Sequence, residues 1–455
     1  MRSLTAIAAV ALLALPASAQ LKTRLEARVN GVGGGMVYLA NYYGNRLFYA
    51  DSARADAQGN LVFAKADGYA PGLYALMLPN GRVEVVLNEP LVRLSTEASD
   101  PNGRLQVLES RENTLYHTDR KAANWEQAKL RAIADQNPGT LTGIICRLDM
   151  EVEGEQVRRP DGALDSAATF RNMRAHAWDG IDLSDERLPY VPGFQNRLDD
   201  VVARFVPKDA NAVVEFLNGM MERTKGSMAM RKFLVGWATT KYAEEETQGL
   251  GAVYVRMAER YVCTGPGIVR DPAWTPADRW DKVCAKTRAK ASLVIGARSK
   301  DIILPDTTAN KWVSMHAMPQ ETIILAFWGP HCSHCKQAIP LLYEQYRKEF
   351  KAMNVGVYAV AEATDESLFT DWKAFLREHK LDWVNVGLAW PMYKDLKGNR
   401  GKYVPSVTNA ESLSYPTAWE VTGTPRFYVL DKERRIVARP QSLKELFEVV
   451  RAQKR

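Results

Sequence analysis

Hydrophobic and polar positions change rhythm twice along the 455-residue chain. Between residue 24 and about residue 95 the apolar runs are short, at 36–40, 47–50, 61–64, 72–78 and 83–87. Asn30-Gly31, Gln58-Gly59-Asn60 and Pro79-Asn80-Gly81 lie between them. Such runs, closed by Gly and Asn turns, predict a small antiparallel β-domain. Gly31, Gly33, Gly34 and Gly35 read as hairpin glycines, because no strand-to-helix unit or downstream acidic residue frames them as a phosphate loop.

From about residue 105 to residue 294 the period lengthens. Val201, Val202 and Phe205, then Val213, Val214, Phe216 and Leu217, recur at helical spacing, and Pro207 and Asp209 break the run. Thr275-Pro276-Ala277-Asp278 predicts a helix start, with a Thr cap, Pro at the first position and Asp where the macrodipole favours negative charge. Trp280, Val283, Cys284 and Thr287 then share one face. No catalytic constellation stands out here, so the region is assigned to spacing or partner binding, and Trp178, Trp237 and Tyr254 to its core.

Past residue 296 strand and helix patterns alternate. A β-branched and aromatic run at 322–328 ends at Gly329-Pro330, and a helix follows from about 332 to 350. A strand at 355–360, an amphipathic helix carrying Phe369, Trp372, Phe375 and Leu376 on one face, and a strand at 383–386 come next. After Thr424-Pro425, strands at 426–430 and 436–438 form a hairpin, and Ser442-Leu443-Lys444-Glu445 is a capping box for a last helix. Strands separated by helices predict a central sheet with helices packed on it, and the closing hairpin makes that sheet mixed. The expected fold is multidomain α+β: a β-rich accessory domain at 20–100, a helical accessory domain at 101–295 and an α/β domain at 296–455.

Residues 1–19 stand outside this scheme. Arg2, the apolar stretch 4–15 and Ala17-Ser18-Ala19 have the layout of a cleavable export signal, so the mature chain is expected to begin at Gln20 and to be exported. The stretch is shorter than the roughly 20 residues a membrane span needs, and no later segment reaches that length without charges. No Cys follows it, which disfavours a lipid anchor. Composition, at 46% hydrophobic and 25% charged, argues against a disordered chain or a multi-span membrane protein. The net charge of +7 is spread without runs of like charge, so it lends nucleic-acid binding no support.

The chemistry is carried by cysteines. There are five, at 146, 263, 284, 332 and 335. Cys332-Ser333-His334-Cys335 puts two sulfurs within one helical turn directly after a strand. Unpaired N–H groups and the positive dipole end of a helix stabilise a thiolate at the first position, and a protonated His331 or His334 adds to this. Cys332 is then the attacking thiol and Cys335 the resolving one, and the couple itself is the redox centre with no bound cofactor. A zinc site would want a second Cys pair at workable spacing, and haem attachment would want His where Lys336 stands. Peroxide chemistry of the peroxiredoxin kind would want Pro and Thr or Ser where Leu325 and Gly329 stand. A purely structural 332–335 disulfide stays as the alternative. Cys263 and Cys284 are expected as buried free thiols, with a loop-closing disulfide as the other possibility.

The run Phe327-Trp328-Gly329-Pro330-His331-Cys332-Ser333-His334-Cys335-Lys336, with Pro340 in the following helix and Thr424-Pro425 before a strand, resembles the thioredoxin superfamily, specifically its exported TlpA/ResA-like thiol-disulfide oxidoreductases. Asp51-Ser52-Ala53, Pro71-Gly72-Leu73-Tyr74 and the helical middle are similar to accessory regions of multidomain members in Gram-negative bacteria. The resemblance implies a cis Thr424-Pro425 bond facing the motif, and substrate contacts from Trp328, Pro330, His331, Thr424 and Pro425. It implies reduction of disulfides in exported partner proteins, with electrons from a membrane electron-transfer protein. His334 resembles instead the oxidase and isomerase motifs, and a partner-binding role with the domain used only for docking is a further reading. Ala326 and Ala338 stand where the family's proton-accepting carboxylates are expected, which makes Glu362 the candidate acceptor. Residues 387–420, with Trp390, Tyr393, Tyr403, Tyr415 and Trp419, are long for a connection and are expected as a lid or partner surface, or as surface packing.

Overall fold

A computed structural model describes residues 22–243, 249–264 and 277–453; the export signal and the Thr275-Pro276 cap lie outside the described residues. The chain divides into two compact units, Met1–Pro207 with Phe216–Leu234, and Lys208–Glu215 with Val235–Arg455. The helices expected as one middle region are shared between the two.

The first unit opens with eight strands: β1 (Arg24–Asn30), β2 (Met36–Tyr43), β3 (Arg46–Arg54), β4 (Asn60–Phe63), β5 (Gly72–Leu78), β6 (Gly81–Leu87), β7 (Leu91–Glu97) and β8 (Gln106–Glu109). They form two four-stranded sheets, ordered β4-β1-β7-β8 and β3-β2-β5-β6. Alternation explains their faces: Leu25, Ala27 and Val29 of β1 point inward with Val37 and Leu39 of β2 and Val83, Val85 and Leu87 of β6, closing one core. The expected antiparallel arrangement holds except for β1 and β7, which run parallel, and β8 lies beyond residue 100. Helices follow, among them Leu141–Asp149 and Pro192–Phe205; in the latter the predicted stripe of Val201, Val202 and Phe205 is buried.

In the second unit Cys263 and Cys284 form a disulfide, which corrects the expectation of free thiols. The turn Glu259–Cys263 brings the first sulfur to the helix Ala277–Ala291 that carries the second. Removing the bond with Cys263→Ser and Cys284→Ser together should lower the unfolding free energy by ~3 kcal/mol. Denaturant titration of the variant checks this, and an unchanged midpoint would show that the link does not stabilise the fold.

The rest of this unit is built on a five-stranded sheet. Its members are β11 (Thr322–Trp328), β12 (Val355–Ala361), β13 (Val384–Gly387), β14 (Arg426–Leu430) and β15 (Ile436–Ala438), after a small hairpin of β9 (Ile303–Pro305) and β10 (Trp312–Ser314). The order is β13-β12-β11-β14-β15, with β11, β12 and β13 parallel and the last two strands antiparallel. The central strand β11 is buried along its whole length, as a strand covered on both faces must be. Ile324, Ala326 and Trp328 enter one core with Cys335, Ile339, Trp372 and Phe375, whereas Ile323, Leu325 and Phe327 enter the other with Tyr358, Trp419 and Tyr428.

Residues 387–420 fold into helices Trp390–Tyr403, Ala410–Leu413 and Tyr415–Ala418. Tyr415 stacks on Phe327 at 5.5 Å and Trp419 is fully buried against Phe327 and Tyr428, so these two rings complete the core on the sheet face away from Cys335, whereas Trp390 packs against the core that holds Cys335. Of the five rings expected in a lid, a partner surface or surface packing, Tyr415 and Trp419 are spent on the core, and Trp390, Tyr393 and Tyr403 are half-buried.

Candidate functional site

Strand β11 ends at Trp328, Gly329 and Pro330 turn the chain, and the motif helix runs Ser333–Gln345 with Cys332 as its N-cap. The cap is the sulfur itself. Cys332 Sγ accepts from the Cys335 backbone N–H at 3.1 Å, the place a Ser or Asp oxygen usually fills. One turn on, Cys335 lies at 0% exposure beneath a half-buried Cys332. Both are free thiols in this structure.

Their electrostatics diverge for physical reasons. Partial burial pushes the Cys332 thiol up, but hydrogen bonding with the side chains of Cys335 and Thr424 and with the backbone N–H groups of Cys335 and His334 outweighs it, leaving the thiol below its ordinary value. The Thr424 carbonyl oxygen, which accepts from Cys332 Sγ at 3.3 Å, taken alone favours the protonated form; the N–H donors favour the thiolate, as at any helix start. Burial, reinforced by the hydrogen bond with Cys332, pushes Cys335 up to about 12. One sulfur is set up to ionise and the other to keep its proton.

The remaining predicted residues divide into those at this centre and those away from it. The Thr424-Pro425 bond is cis, and its loop meets the motif through the Thr424 carbonyl. Glu362 follows β12, is fixed by its N–H to the Trp328 carbonyl at 3.0 Å, and is exposed. A Cβ placed on Gly329 would lie 3.3 Å from Glu362 Oε2 and 3.8 Å from Cys332 Cβ, so the carboxylate shares the immediate surroundings of the motif turn, and the lack of a side chain at 329 leaves that approach open. His334 is exposed, and its backbone N–H is the part that acts on Cys332.

His331 is exposed and pairs with Asp371 at 2.6 Å, tying the motif turn to helix Glu366–His379. Pro330 is buried and lines a cavity of about 610 Å³ with His331, Lys336, Asp371, Phe375 and His379. Trp328 corrects the reading as a substrate contact: it is 1% exposed, its ring packs on Phe375 at 4.9 Å, and no face of it reaches solvent. Asp371 was not foreseen. It sits on the polar face of an amphipathic helix, where nothing in the local pattern separates it from a solvated carboxylate. Among the described residues no cluster of His, Cys, Asp and Glu is arranged to hold a metal ion.

The AhpC/TSA family model matches residues 295–439. No curated protein matches the chain. Among solved structures, the thioredoxin domain of a thiol-disulfide oxidoreductase from Bacteroides vulgatus is 25% identical, with 36% of this chain and 100% of that one covered at a TM-score of 0.28. A domain of a possible thiol-disulfide isomerase from Cytophaga hutchinsonii is 28% identical over 36% of this chain and 96% of that one, TM-score 0.28. A thioredoxin-like protein from Bacteroides caccae is 12% identical over 66% of this chain and 98% of that one, TM-score 0.35. The family match falls on the stretch that holds the mixed five-stranded sheet and the Cys332 helix start.

Proposed function

We propose that this protein is a periplasmic thiol-disulfide reductase acting on exported partner proteins. The observation that carries the reading is the pairing of a half-buried Cys332, whose Sγ caps a helix start, with a fully buried free Cys335 one turn on. The Cys332 thiolate attacks one sulfur of a partner disulfide, forming a mixed disulfide and expelling the other partner sulfur as a thiolate that takes up a proton. In this reading Cys335 gives its proton to Glu362 and attacks Cys332 Sγ. The mixed bond breaks, the second partner thiolate leaves and is protonated, and a Cys332–Cys335 disulfide forms. Two electrons have passed to the partner, and a dithiol of a membrane electron-transfer protein returns them by the same exchange. No other cofactor is needed. Location rests on the export signal; among the described residues no helix is long and apolar enough to cross a membrane.

Insulin reduction by the whole chain tests the reading: precipitation of the freed B chain driven by sub-stoichiometric protein supports it, and a rate equal to that of dithiothreitol alone favours the partner-binding reading in which the domain only docks. Peroxide reduction fits less well despite the matched family model, because Leu325 and Gly329 occupy the positions that chemistry would need.

The oxidase or isomerase direction is the second reading, favoured by His334 beside the motif. His334→Ala removes the imidazole and keeps the backbone N–H that acts on Cys332. If the imidazole stabilises the thiolate, the variant should have a higher Cys332 pKa and a more negative potential, by ~30 mV for each tenfold change in equilibrium. An unchanged potential in a folded variant would remove the support His334 lends to the oxidising direction.

A further inference from the structure

The first unit holds a cavity, remote in sequence from the cysteine motif, that the redox reading leaves unused. It has a volume of about 700 Å³ and is lined by residues of β6, of the stretch around β8 and of the segment 116–125. That size lies in the roughly 300–1,000 Å³ range of small-ligand sites.

Its acidic groups are already committed. Glu84 accepts from the Tyr42 hydroxyl at 2.8 Å and from the Tyr116 hydroxyl, and Asp149 holds Arg120 at 2.5 Å. Arg82 and Lys121 line the same space and have no carboxylate partner among the described residues. At the rim stands Trp125, 64% exposed, with the Arg120 guanidinium 5.7 Å from its ring centroid. Asn124 and Trp125 both have positive φ, 46° and 65°, a region a bulky residue rarely adopts. This backbone directly follows the π-helical turn Leu115–Asp119 and the short helix Arg120–Ala123, and π turns recur at functional sites. An apolar ring held out into water by a strained backbone, over a pocket with two unspent cations, is poorly explained by stability alone.

We infer that this cavity is a binding site for a ligand joining a planar ring to a carboxylate, the ring stacking on Trp125 and the carboxylate meeting Arg82 and Lys121. The chemistry is shared by a free aromatic acid and by the C-terminal end of a peptide whose last residue is aromatic. The site stands apart from the redox reading, and either can fail without the other.

The test is calorimetric titration of the full chain with N-acetyl-tryptophan, its neutral twin N-acetyl-tryptophanamide, and a short peptide ending in a free tryptophan carboxylate. The acid should bind about tenfold or more tighter than the amide, as expected for charge-assisted contacts. Lys121→Ala and Arg82→Ala should each shrink that ratio, Lys121→Arg should keep it, and Trp125→Ala should weaken acid and amide alike. The peptide binding tighter than the acid would mark a peptide end as the source; equal affinity would mark a free acid. All three substituted residues are exposed, and circular dichroism confirms that the variants fold. Equal affinity for acid and amide, binding untouched by Trp125→Ala, or no heat from any probe up to about 10 mM would each overturn the inference.

Discussion

Cys332→Ser should reduce disulfide turnover by more than about 10³-fold, the order of loss seen when a covalent nucleophile is removed. The reason lies in the division of labour between the sulfurs. Only Cys332 is both reachable and below the ordinary thiol value, whereas Cys335 at about 12 keeps its proton through the neutral range. Alkylation of the reduced protein at limiting reagent should therefore modify Cys332 first. Because its folded value is depressed, the thiolate fraction rises as pH climbs through that lowered value, so alkylation should rise with pH earlier than for a free cysteine. Cys335→Ala, in contrast, keeps the attacking thiol and loses the resolving one, so partner proteins should accumulate as mixed disulfides on Cys332. Preferential labelling of Cys335, or partner trapping by Cys332→Ala as strong as by Cys335→Ala, would reverse the assignment.

The second large effect is expected at Glu362. A resolving thiol held at about 12 attacks slowly unless a base receives its proton as it attacks. Ala326 is fully buried and Ala338 is apolar, so neither can serve, while the Glu362 carboxylate lies against Gly329 beside Cys332. Glu362→Gln keeps the shape and removes the base. Turnover should fall by about 10²-fold, within the usual range for general-base catalysis. The loss should appear in resolution alone: the mixed disulfide should persist after mixing, while alkylation of Cys332 stays near that of the parent. Unchanged turnover would mean that the proton leaves by another route, through water at the exposed edge of the motif.

Parts of this architecture were legible in the residues because the physics is local. The Cys332 helix start follows from a β-branched run, a Gly-Pro turn and sulfurs three apart. The Ser442 cap, with Glu445 N–H donating to Ser442 Oγ at 3.2 Å, follows from its four-residue pattern. What escaped depends on pairing between distant residues. In β1, Arg24–Asn30, the alternation of Leu25, Ala27 and Val29 with polar residues marks a strand, but not that β7 runs parallel beside it. Trp328 reads as a surface aromatic beside a motif, yet the buried end of a central strand has no polar alternation to announce it. The Cys263–Cys284 bond depends on two backbone segments meeting with Cα atoms 5.6 Å apart, which spacing along the chain does not encode. Tyr415 and Trp419 lie one helical turn apart, a packing spacing, but which sheet face they cover is set by Phe327.

The claim that this centre reduces its partners is most directly tested by the redox equilibrium of the whole chain with glutathione, quantifying the 332–335 disulfide by mass spectrometry. A single two-electron transition confined to that pair, with a midpoint more negative than about −200 mV, is the predicted result, since the reductant thioredoxin lies at about −270 mV and glutaredoxins at about −200 to −230 mV. A midpoint near the roughly −120 mV of the strong oxidant DsbA, or no reversible bond between Cys332 and Cys335, would contradict it.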